Sequence, residues 1–322
     1  MILPRPRILT IGYFTTDLLV KVDRFADIDD EVPIQTFGEY QGGSAANTAV
    51  GVRRLGVPAA LLTCVGNDDL ARKGLRILAS EDVDISRVAT SRKGLGSPYV
   101  VGIVDPQGER QLYSYGGAAQ ELTPDQLTRE DLADVTHLHI CTLGPEFVER
   151  ALKIAGEADH RVTISADPGA LGCAGEKATG LRPLLPRLDL LFLNTVEMGL
   201  LINMTDVRQL PVCADALPPR VAIKLGAKGC VLYERGAALT FAPAFKVDAI
   251  DTTGAGDAFA AGHLVGWIHG LVGEGLATLS NAVAALSTRV HGCRDGLPTM
   301  NEVTAFLRVH CTTNPIETRI GR

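Results

Sequence analysis

The chain has 322 residues, with 31 Lys and Arg against 37 Asp and Glu and 46% hydrophobic side chains, which excludes disorder as its main state. The formal net charge of −6 disfavours a nucleic-acid-binding protein, because such proteins usually carry a basic patch. At this length a folded chain buries roughly 75% of the surface that its unfolded form exposes, so a large core is expected.

Short apolar runs alternate with helical patterns along the whole chain. Predicted strands cover residues 7–12, 59–65, 136–140, 161–166, 188–194, 221–225 and 230–234. Predicted helices cover residues 44–55, 69–81, 124–133, 145–157, 195–202, 255–270 and 274–290. The strand at 188–194 is apolar almost throughout, as a parallel sheet covered on both faces requires. The alternation predicts an α/β fold with a doubly wound, mostly parallel sheet flanked by helices.

Two segments interrupt this alternation. The first, residues 13–41, holds strand-like runs at 17–22 and 34–37. The second, residues 97–118, predicts a hairpin around an Asp-Pro-Gln-Gly turn. Neither segment contains a helical pattern, so together they predict a small separate sheet, which acts as a lid over a cleft. We expect a single α/β domain over residues 1–322, with a loose tail at its end.

The cysteines are scattered, odd in number and never spaced as Cys-x-x-Cys, which disfavours a structural zinc site or a disulfide framework. They are Cys64, Cys141, Cys173, Cys213, Cys230, Cys293 and Cys311. This usage fits a reducing, cytoplasmic location. Residues 1–7 lack the apolar run of a signal peptide. The stretch 258–279 is apolar but carries two histidines and a glutamate, so it predicts a buried helix pair rather than a membrane span.

A pair of glycines opens the first predicted helix. Gly42 and Gly43 permit a close approach between backbone and ligand. Asn47 falls one turn into the helix and faces back toward them, with an amide that can donate to or accept from a hydroxyl. Together with Asp17 these residues predict a polar lining suited to a polyol. The alternative is an ordinary helix start with Asn47 on the surface.

The most informative stretch is Asp-Thr-Thr-Gly-Ala-Gly-Asp at residues 251–257, between a strand-like run that ends near Ile250 and a long helix. The small residues at 254–256 let backbone amides converge at a helix start, which favours anion binding. Asp257 follows directly and is placed to take a proton from a hydroxyl that attacks a phosphoryl group. The alternative is a plain helix start whose aspartate offsets the dipole. The motif is neither a Walker A loop nor a Rossmann fingerprint.

Together the two glycine motifs resemble the paired signatures of the PfkB (ribokinase-like) carbohydrate kinase family, and the resemblance covers nearly the whole chain. Gly12 with Asp17 looks like the first strand and sugar contact of that family. Asn194 and Glu197 look like its Asn-x-x-Glu motif, and residues 224–229 look like its nucleotide-side turn. The two interruptions fall where the family carries its β-sheet lid.

The resemblance implies a ribokinase-like fold and ATP-dependent phosphorylation of a hydroxyl on a sugar or related polyol. It assigns Asp257 as the general base and the amides of Gly254, Ala255 and Gly256 as the anion hole. The residues that would hold substrate hydroxyls are Asp17, Gly42, Gly43, Asn47 and Asp251. The residues that would serve the nucleotide and its Mg²⁺ are Asn194, Glu197, Lys224, Gly226, Gly229, Asn281 and the segment 284–292. A monovalent cation such as K⁺ would lie near Asp251 and Thr253.

Some features leave the substrate and the function class open. Ribokinases proper often carry a glutamate sugar ligand in the segment that matches residues 141–145, and this chain has no acid there, which disfavours free ribose. A nucleoside such as adenosine or pseudouridine is the main alternative acceptor. A non-catalytic binding protein is a further alternative, against which the intact residues 254–257 argue. A nicotinamide dehydrogenase would need a fingerprint after the first strand, which is missing.

The predicted lid sheet also indicates which partners the chain could have. The edges of a lid sheet favour pairing with a second copy, so a homodimer through the lids is expected, with no nucleic-acid or membrane partner.

His137 and His139 lie on one face of a predicted strand. They are expected to form a buried, hydrogen-bonded pair rather than a metal site.

Overall fold

The computed structural model describes residues 7–311, which form two separate β-sheets with helices packed on the larger one. The strands, in chain order, are β1 (Ile8–Ile11), β2 (Thr15–Val22), β3 (Ile34–Gly42), β4 (Ala59–Val65), β5 (Val88–Thr90), β6 (Tyr99–Val104), β7 (Arg110–Tyr115), β8 (His137–Cys141), β9 (Thr163–Asp167), β10 (Leu190–Asn194), β11 (Arg220–Lys224), β12 (Cys230–Glu234) and β13 (Thr240–Ala242). The helices are α1 (Ser44–Arg54), α2 (Asp69–Ser80), α3 (Pro145–Gly156), α4 (Gly169–Gly172), α5 (Gly175–Leu181), α6 (Thr195–Ile202), α7 (Ala255–Ile268), α8 (Gly273–Ser287) and α9 (Met300–His310).

Nine strands make the larger sheet, in the order β13-β12-β11-β10-β9-β8-β1-β4-β5. The pairs from β11 to β5 are parallel, while β12 and β13 add an antiparallel edge. Successive residues of one strand enter different hydrophobic clusters on the two faces, as Phe192 and Leu193 of β10 do. This burial on both faces explains the apolar run of that strand and confirms the predicted doubly wound sheet.

The predicted separate small sheet is confirmed as four strands in the order β3-β2-β6-β7. Strand β2 pairs antiparallel with β3 and parallel with β6, and β6 and β7 form the predicted hairpin. Strand β3 continues to Gly42, well past the short strand predicted at 34–37. The sheet exposes large apolar side chains, with Phe37 at 63% and Tyr113 at 58% exposure. The small sheet therefore exposes apolar side chains to solvent, whereas the central strands of the nine-stranded sheet are buried.

The prediction of a helix at 124–133 is wrong, because this segment forms two short 3₁₀ turns. Leu127 and Leu132 are both fully buried, and positions five residues apart lie about 140° apart around an α-helix. A helix that packs on the core by one face only would not bury both. Thr128 interrupts the segment, since its amide and hydroxyl both donate to Asp131 Oδ2 at 2.9 Å.

The strand expected to end near Ile250 is also absent from the described residues. Strand β13 ends at Ala242, because Pro243 has no amide hydrogen to continue the ladder. The chain then runs as irregular backbone to the glycine-rich turn. There the amides of Ile250 and Asp251 donate to Thr288 O at 2.7 and 3.1 Å, which fixes the turn against the end of α8.

The stretch 258–279 lies in the two packed helices α7 and α8, as predicted, and the chain turns between them at Gly270. Within residues 7–311, no helix combines the length and the apolar character needed to cross a membrane. Helices α4, α5 and α9 and strands β5 and β13 have no counterpart among the predicted elements. The tail predicted after residue 311 and most of the segment 1–7 lie outside the described residues.

The two histidines of β8 are fully buried, and a ring nitrogen of each lies 2.7 Å from Ser165 Oγ. Burial lowers the pKa of His139 to about 3, so its ring is neutral at physiological pH. The expected hydrogen-bonded pair is therefore confirmed. In the part of the chain that the structure describes, no group of three or more His, Cys, Asp or Glu side chains is arranged to hold a metal ion.

Candidate active site

The carboxyl ends of the parallel strands open onto a cleft, one half of which is a cavity of about 860 Å³. The cavity is lined by one stretch of the chain, from Lys224 at the end of β11 to Thr288 after α8. Four residues predicted for nucleotide binding line it: Lys224, Gly226, Gly229 and Asn281. Most of the remaining wall is apolar, which is typical of a small-molecule site with a few orienting polar groups.

Asn281 is a buried residue of α8 on the wall of this cavity. Its amide nitrogen donates to Ala242 O and Pro243 O at 3.3 and 3.0 Å. The side chain therefore ties the helix to the chain that follows β13 and forms another part of the wall. The residues of the predicted segment 284–292 that line the cavity are Ala284, Ala285 and Thr288.

Helix α7 begins at the edge of the cavity, where Ala255 and Gly256 form part of the wall. Gly254 precedes it with a φ of 78°, and a Cβ there would lie 2.9 Å from Cys293 O, so the turn requires glycine. The amide of Ala255 donates to Thr252 O at 3.2 Å. Those of Gly254 and Gly256 have no acceptor among the described residues. Two of the three amides predicted for the anion hole are thus available to a ligand.

Asp257 lies in the first turn of α7 and is partly exposed. Its Oδ2 accepts a hydrogen bond from Asn47 Nδ2 at 2.8 Å. Burial raises the pKa of Asp257 to about 6, against the opposing effects of Asn47 and Lys224. A carboxylate with this pKa is ionised at neutral pH and close to the best range for accepting a proton.

Lys224 places a positive charge beside the start of α7. Its Nζ pairs with Asp167 Oδ2 at 2.6 Å, and a Cβ built on Gly256 would lie 3.4 Å from the same Nζ. Burial acts to lower the pKa of Lys224, but the neighbouring carboxylates, Asp167 first among them, outweigh burial and raise it. Lys224 is therefore charged at neutral pH, next to the amides that remain unpaired.

Asn194 and Glu197 cap the start of α6 reciprocally. Asn194 Oδ1 accepts from the Glu197 amide at 2.9 Å, and Glu197 Oε2 accepts from the Asn194 amide at 2.8 Å. Burial raises the pKa of Glu197, Asp167 raises it further, and Lys224 acts against both. The predicted Asn-x-x-Glu motif is thus a helix cap that holds a buried carboxylate on the side of Lys224.

The predicted substrate residues gather where the lid meets α1. Asp17 Oδ1 accepts from Thr15 Oγ1 at 3.1 Å, and burial raises the pKa of Asp17. A Cβ on Gly42 would collide with the Asp17 carboxylate. Gly43 has a φ of 94°, and a Cβ there would collide with Tyr13 O. Both glycines therefore allow the start of α1 to approach β2 and the residues just before it closely. The close approach to a ligand that the sequence suggested stays a prediction.

Asn47 is only 2% exposed and lies between Asp257 and Arg294, a residue that sequence reasoning missed. Arg294 Nε donates to Asn47 Oδ1 at 2.8 Å, and Arg294 Nη2 donates to Gly42 O. The amide of Asn47 is thus held at both ends, whereas the sequence suggested an amide open to a substrate hydroxyl. Nothing in the motif around residue 294 signals this contact, because it joins residues 247 positions apart.

Asp251 holds two loops together. Its Oδ1 accepts from the amide and hydroxyl of Thr253 at 2.9 and 2.7 Å, and its Oδ2 accepts from the Gly292 amide at 3.0 Å. Burial acts to raise the pKa of Asp251, but these hydrogen bonds lower it. The roles of Asp251 and Thr253 in binding substrate or a monovalent cation stay predictions.

The structure therefore assembles three chemical groups at one helix start. Asp257 can accept a proton, the amides of Gly254 and Gly256 can bind an anion, and Lys224 supplies positive charge. This combination suits a reaction in which a hydroxyl attacks an anionic group whose charge must be stabilised.

Comparisons with known proteins agree with this chemistry. Residues 5–300 match the model of the pfkB family of carbohydrate kinases. The chain is 32% identical over 301 residues to the ATP-dependent ribose-1-phosphate kinase of Halopiger xanaduensis, which covers 94% of this chain and 98% of that protein. It is 30% identical over 310 residues to the nucleoside kinase of Methanocaldococcus jannaschii, over 94% of this chain and 97% of that protein. The crystal structure of a Methanocaldococcus jannaschii nucleoside kinase superposes with a TM-score of 0.82 at 28% identity, over 95% of this chain and 99% of that chain.

Proposed function

Because this chain belongs to the PfkB family of carbohydrate kinases, we propose that it transfers a phosphoryl group from ATP to a hydroxyl of a sugar-like molecule. One observation carries the proposal: Asp257 lies beside unpaired helix-start amides and the charged Lys224. Family membership also decides against the nicotinamide dehydrogenase. A purely binding protein would need no carboxylate poised to accept a proton at neutral pH.

In the proposed reaction Asp257 accepts the proton of the acceptor hydroxyl as its oxygen bonds to the γ-phosphorus of ATP. The bond between that phosphorus and the β–γ bridging oxygen breaks, and ADP leaves. The amides of Gly254 and Gly256 stabilise the negative charge on the transferred group, and Lys224 adds its positive charge. Most of the catalysis then comes from positioning and electrostatics, because phosphoryl transfer needs little covalent chemistry from the protein.

The donor half of the cleft fits a nucleotide. A cavity of about 860 Å³ with mostly apolar walls suits a purine base and ribose, and it ends at the amides and Lys224, where phosphates would lie. Glu197 and Asp167 bring two carboxylates to this end, and Mg²⁺ is usually held by one or two carboxylates together with phosphates. Bound there, Mg²⁺ would neutralise charge on the phosphates. K⁺ would bind near Asp251 and Thr253, whose side-chain oxygens lie 2.7 Å apart.

The acceptor we propose is a ribose that carries a substituent on C1. Two of the relatives at 30% identity or more are named for ribose-1-phosphate and for nucleosides, which share this feature, whereas a third, from Bacillus subtilis, is named 2-dehydro-3-deoxygluconokinase. The lack of an acid at residues 141–145 disfavours free ribose. Asp17 and the backbone around Gly42 and Gly43 would bind the ribose hydroxyls, next to Asp257 and Asn47. Within this class ribose-1-phosphate is the first candidate, and a nucleoside, favoured by the Methanocaldococcus relative, is the second.

We also propose that the four-stranded sheet closes over this acceptor site within a single domain, and that its exposed Phe37 and Tyr113 pack against a second copy of the chain. Exposed apolar side chains on a lid favour such a contact. A cytoplasmic location is consistent with seven free cysteines. Light scattering of the purified protein would decide between monomer and dimer.

The test is ADP release measured with ribose-1-phosphate, adenosine, pseudouridine, ribose and sugar acids, each with and without K⁺. We expect release to depend on one class of acceptor and to fall by about 10²–10⁴ in Asp257→Asn, with the affinity for ATP unchanged. Asp69→Asn, which alters an aspartate 98% exposed on α2, is the matched control and should behave like the wild type. Near-normal turnover in Asp257→Asn would remove the base from the proposal.

A further inference from the structure

Arg294 is a buried arginine in an unusual position. It is 5% exposed, and among the described residues no carboxylate lies within ion-pair distance of it. Its guanidinium carbon lies 5.3 Å from the centre of the Phe14 ring, and its Nη1 has no hydrogen-bond partner in the described chain. Burial lowers the pKa of Arg294 to about 10, which still leaves it charged at neutral pH. Burying a charge without an ion pair destabilises a fold, so a compensating role in function is worth seeking.

The hydrogen bonds of Arg294 determine how the amide of Asn47 is oriented. A guanidinium donates hydrogen bonds and accepts none. The Asn47 atom that lies 2.8 Å from Arg294 Nε must therefore be the oxygen, and the nitrogen must face Asp257 Oδ2, also at 2.8 Å. A reversed amide would place two donors against each other at Arg294 and two acceptors against each other at Asp257.

Resting on the proposed role of Asp257 as base, we propose that Arg294 is a positioning residue that holds Asn47 so that its amide always donates to the Asp257 carboxylate. A hydrogen bond donated to a carboxylate favours the ionised form, which is the form that accepts a proton. The bond from Arg294 to Gly42 O links the turn on the acceptor side to the same guanidinium. The Arg294 side chain thus contacts both Asn47, which donates to the proposed base, and Gly42, which lies in the proposed acceptor wall.

Other titratable groups also act on Asp257. Asp167 at the end of β9 raises its pKa and Lys224 at the end of β11 lowers it, while Asp257 in turn raises the thiol pKa of Cys141 at the end of β8 and of Cys293 in the loop after α8. Arg294 also interacts with Asp257 directly through its charge, and its hydrogen bond to Asn47 adds an effect that runs through the orientation of a neutral amide. Only this second contribution depends on Asn47, because a through-space charge effect does not.

The experiment measures the pKa of Asp257 directly, by ¹³C carboxyl NMR of the full chain with labelled aspartate. The resonance is assigned as the one missing from Asp257→Asn. We expect the pKa to rise by about one unit in Arg294→Met, because a hydrogen bond to the ionised form is lost. The acid limb of kcat/KM, measured with the acceptor that the ADP-release screen identifies, should move by the same amount.

Arg54→Met is the matched control. Arg54 Nη1 donates to Arg294 O and Leu297 O at 2.9 and 2.6 Å, so it supports the same loop without contacting Asn47. We expect this variant to lose stability and to keep the pKa of Asp257. An equal rise in both variants would show that the loop, and not the guanidinium, matters, and would overturn the proposal.

A double-mutant cycle separates orientation from charge. In an Asn47→Leu background, Arg294→Met should change the pKa of Asp257 by much less than it does in the wild type. An equal change in both backgrounds, or no change in either, contradicts the proposal.

Two further measurements distinguish a failure of the inference about Arg294 from a failure of the proposed function. If Arg294→Met does not fold, the side-chain amide signal of Asn47 in the unaltered chain carries the test. That signal should shift with pH at the same midpoint as the Asp257 carboxyl, and an amide that does not respond would overturn the inference. Normal turnover in Asp257→Asn would instead remove the proposed function, whatever the NMR shows.

Discussion

Two helices in this molecule begin at the cleft with a glycine in the left-handed region, and they serve different purposes. Gly43 precedes α1 with a φ of 94°, and Gly254 precedes α7 with a φ of 78°. In both cases another part of the chain occupies the space of the missing Cβ, Tyr13 at the first glycine and Cys293 at the second. The two sites therefore share a positive φ and a crowded glycine, although ψ differs, at 116° for Gly43 and −2° for Gly254.

The difference lies in what faces each helix start. Ala45 and Ala46 at the beginning of α1 are fully buried, whereas Ala255 and Gly256 at the beginning of α7 line an open cavity beside Lys224. In the proposed reaction, the first helix start packs against the chain and brings side chains to the acceptor, and the second binds the anion. A glycine-led helix start becomes a phosphate site when open space and positive charge lie in front of it.

Removing the charge in front of α7 tests this conclusion most strongly. We expect Lys224→Met to lower kcat by about 10²–10³, because one stabilising group at the phosphate is lost and Asp167 is left unpaired. Lys73→Met, which breaks a surface pair with Glu39 at 2.8 Å, is the control and should leave kcat within about twofold. Steady-state kinetics decide the matter, and a kcat for Lys224→Met close to that of the control would contradict the assignment.

Adding a methyl group to each glycine sharpens the comparison. Gly43→Ala and Gly254→Ala should both lose at least about 1 kcal/mol of unfolding free energy in urea, because of the positive φ and the contact with backbone. We expect Gly254→Ala to lower kcat about tenfold and Gly43→Ala mainly to raise KM for the acceptor. Gly236→Ala has a φ of 83° and open space around it, so it measures the strain alone. Identical kinetic effects in the first two variants would refute the division of roles.

The acidity of Asp257 gives a smaller, pH-dependent effect. Its raised pKa of about 6 means that the base is protonated as the pH falls through that value. We therefore expect kcat/KM to fall about tenfold per unit below pH 6 and to level off above it. A profile that stays flat to pH 5 would show that another group takes the proton.

The smallest effect concerns stability. The folded pKa of Asp257 lies above its ordinary value of 3.8, so the ionised side chain destabilises the fold above about pH 6. We expect Asp257→Asn to raise the free energy of unfolding by about 1–3 kcal/mol at neutral pH. This gain should shrink as the pH falls toward 3.8, where the wild-type carboxyl is protonated as well. Urea unfolding at both pH values measures it, and a gain that does not depend on pH would point to packing instead.

Local sequence determined much of the fold and several residues that line the cavity beside α7. Apolar strand runs, helix caps and the glycine turns depend on neighbours in the chain, so they could be predicted. Arg294 could not, because its contacts with Asn47 and Gly42 join distant segments and its buried charge leaves no local pattern. The failed helix at 124–133 has the same cause, since two leucines on opposite sides of a helix both had to reach the core.

The cavity proposed for the donor is built from one continuous segment, residues 224–288, while the proposed acceptor wall comes from the first fifty residues and the lid. Because the two walls come from separate stretches of the chain, the acceptor wall can be changed without altering the donor wall. Arg294 connects the two walls, because it follows residues 224–288 in the chain and donates a hydrogen bond to Gly42 O. A chimera that swaps only the first fifty residues would need a compatible residue at 294 to keep its base aligned.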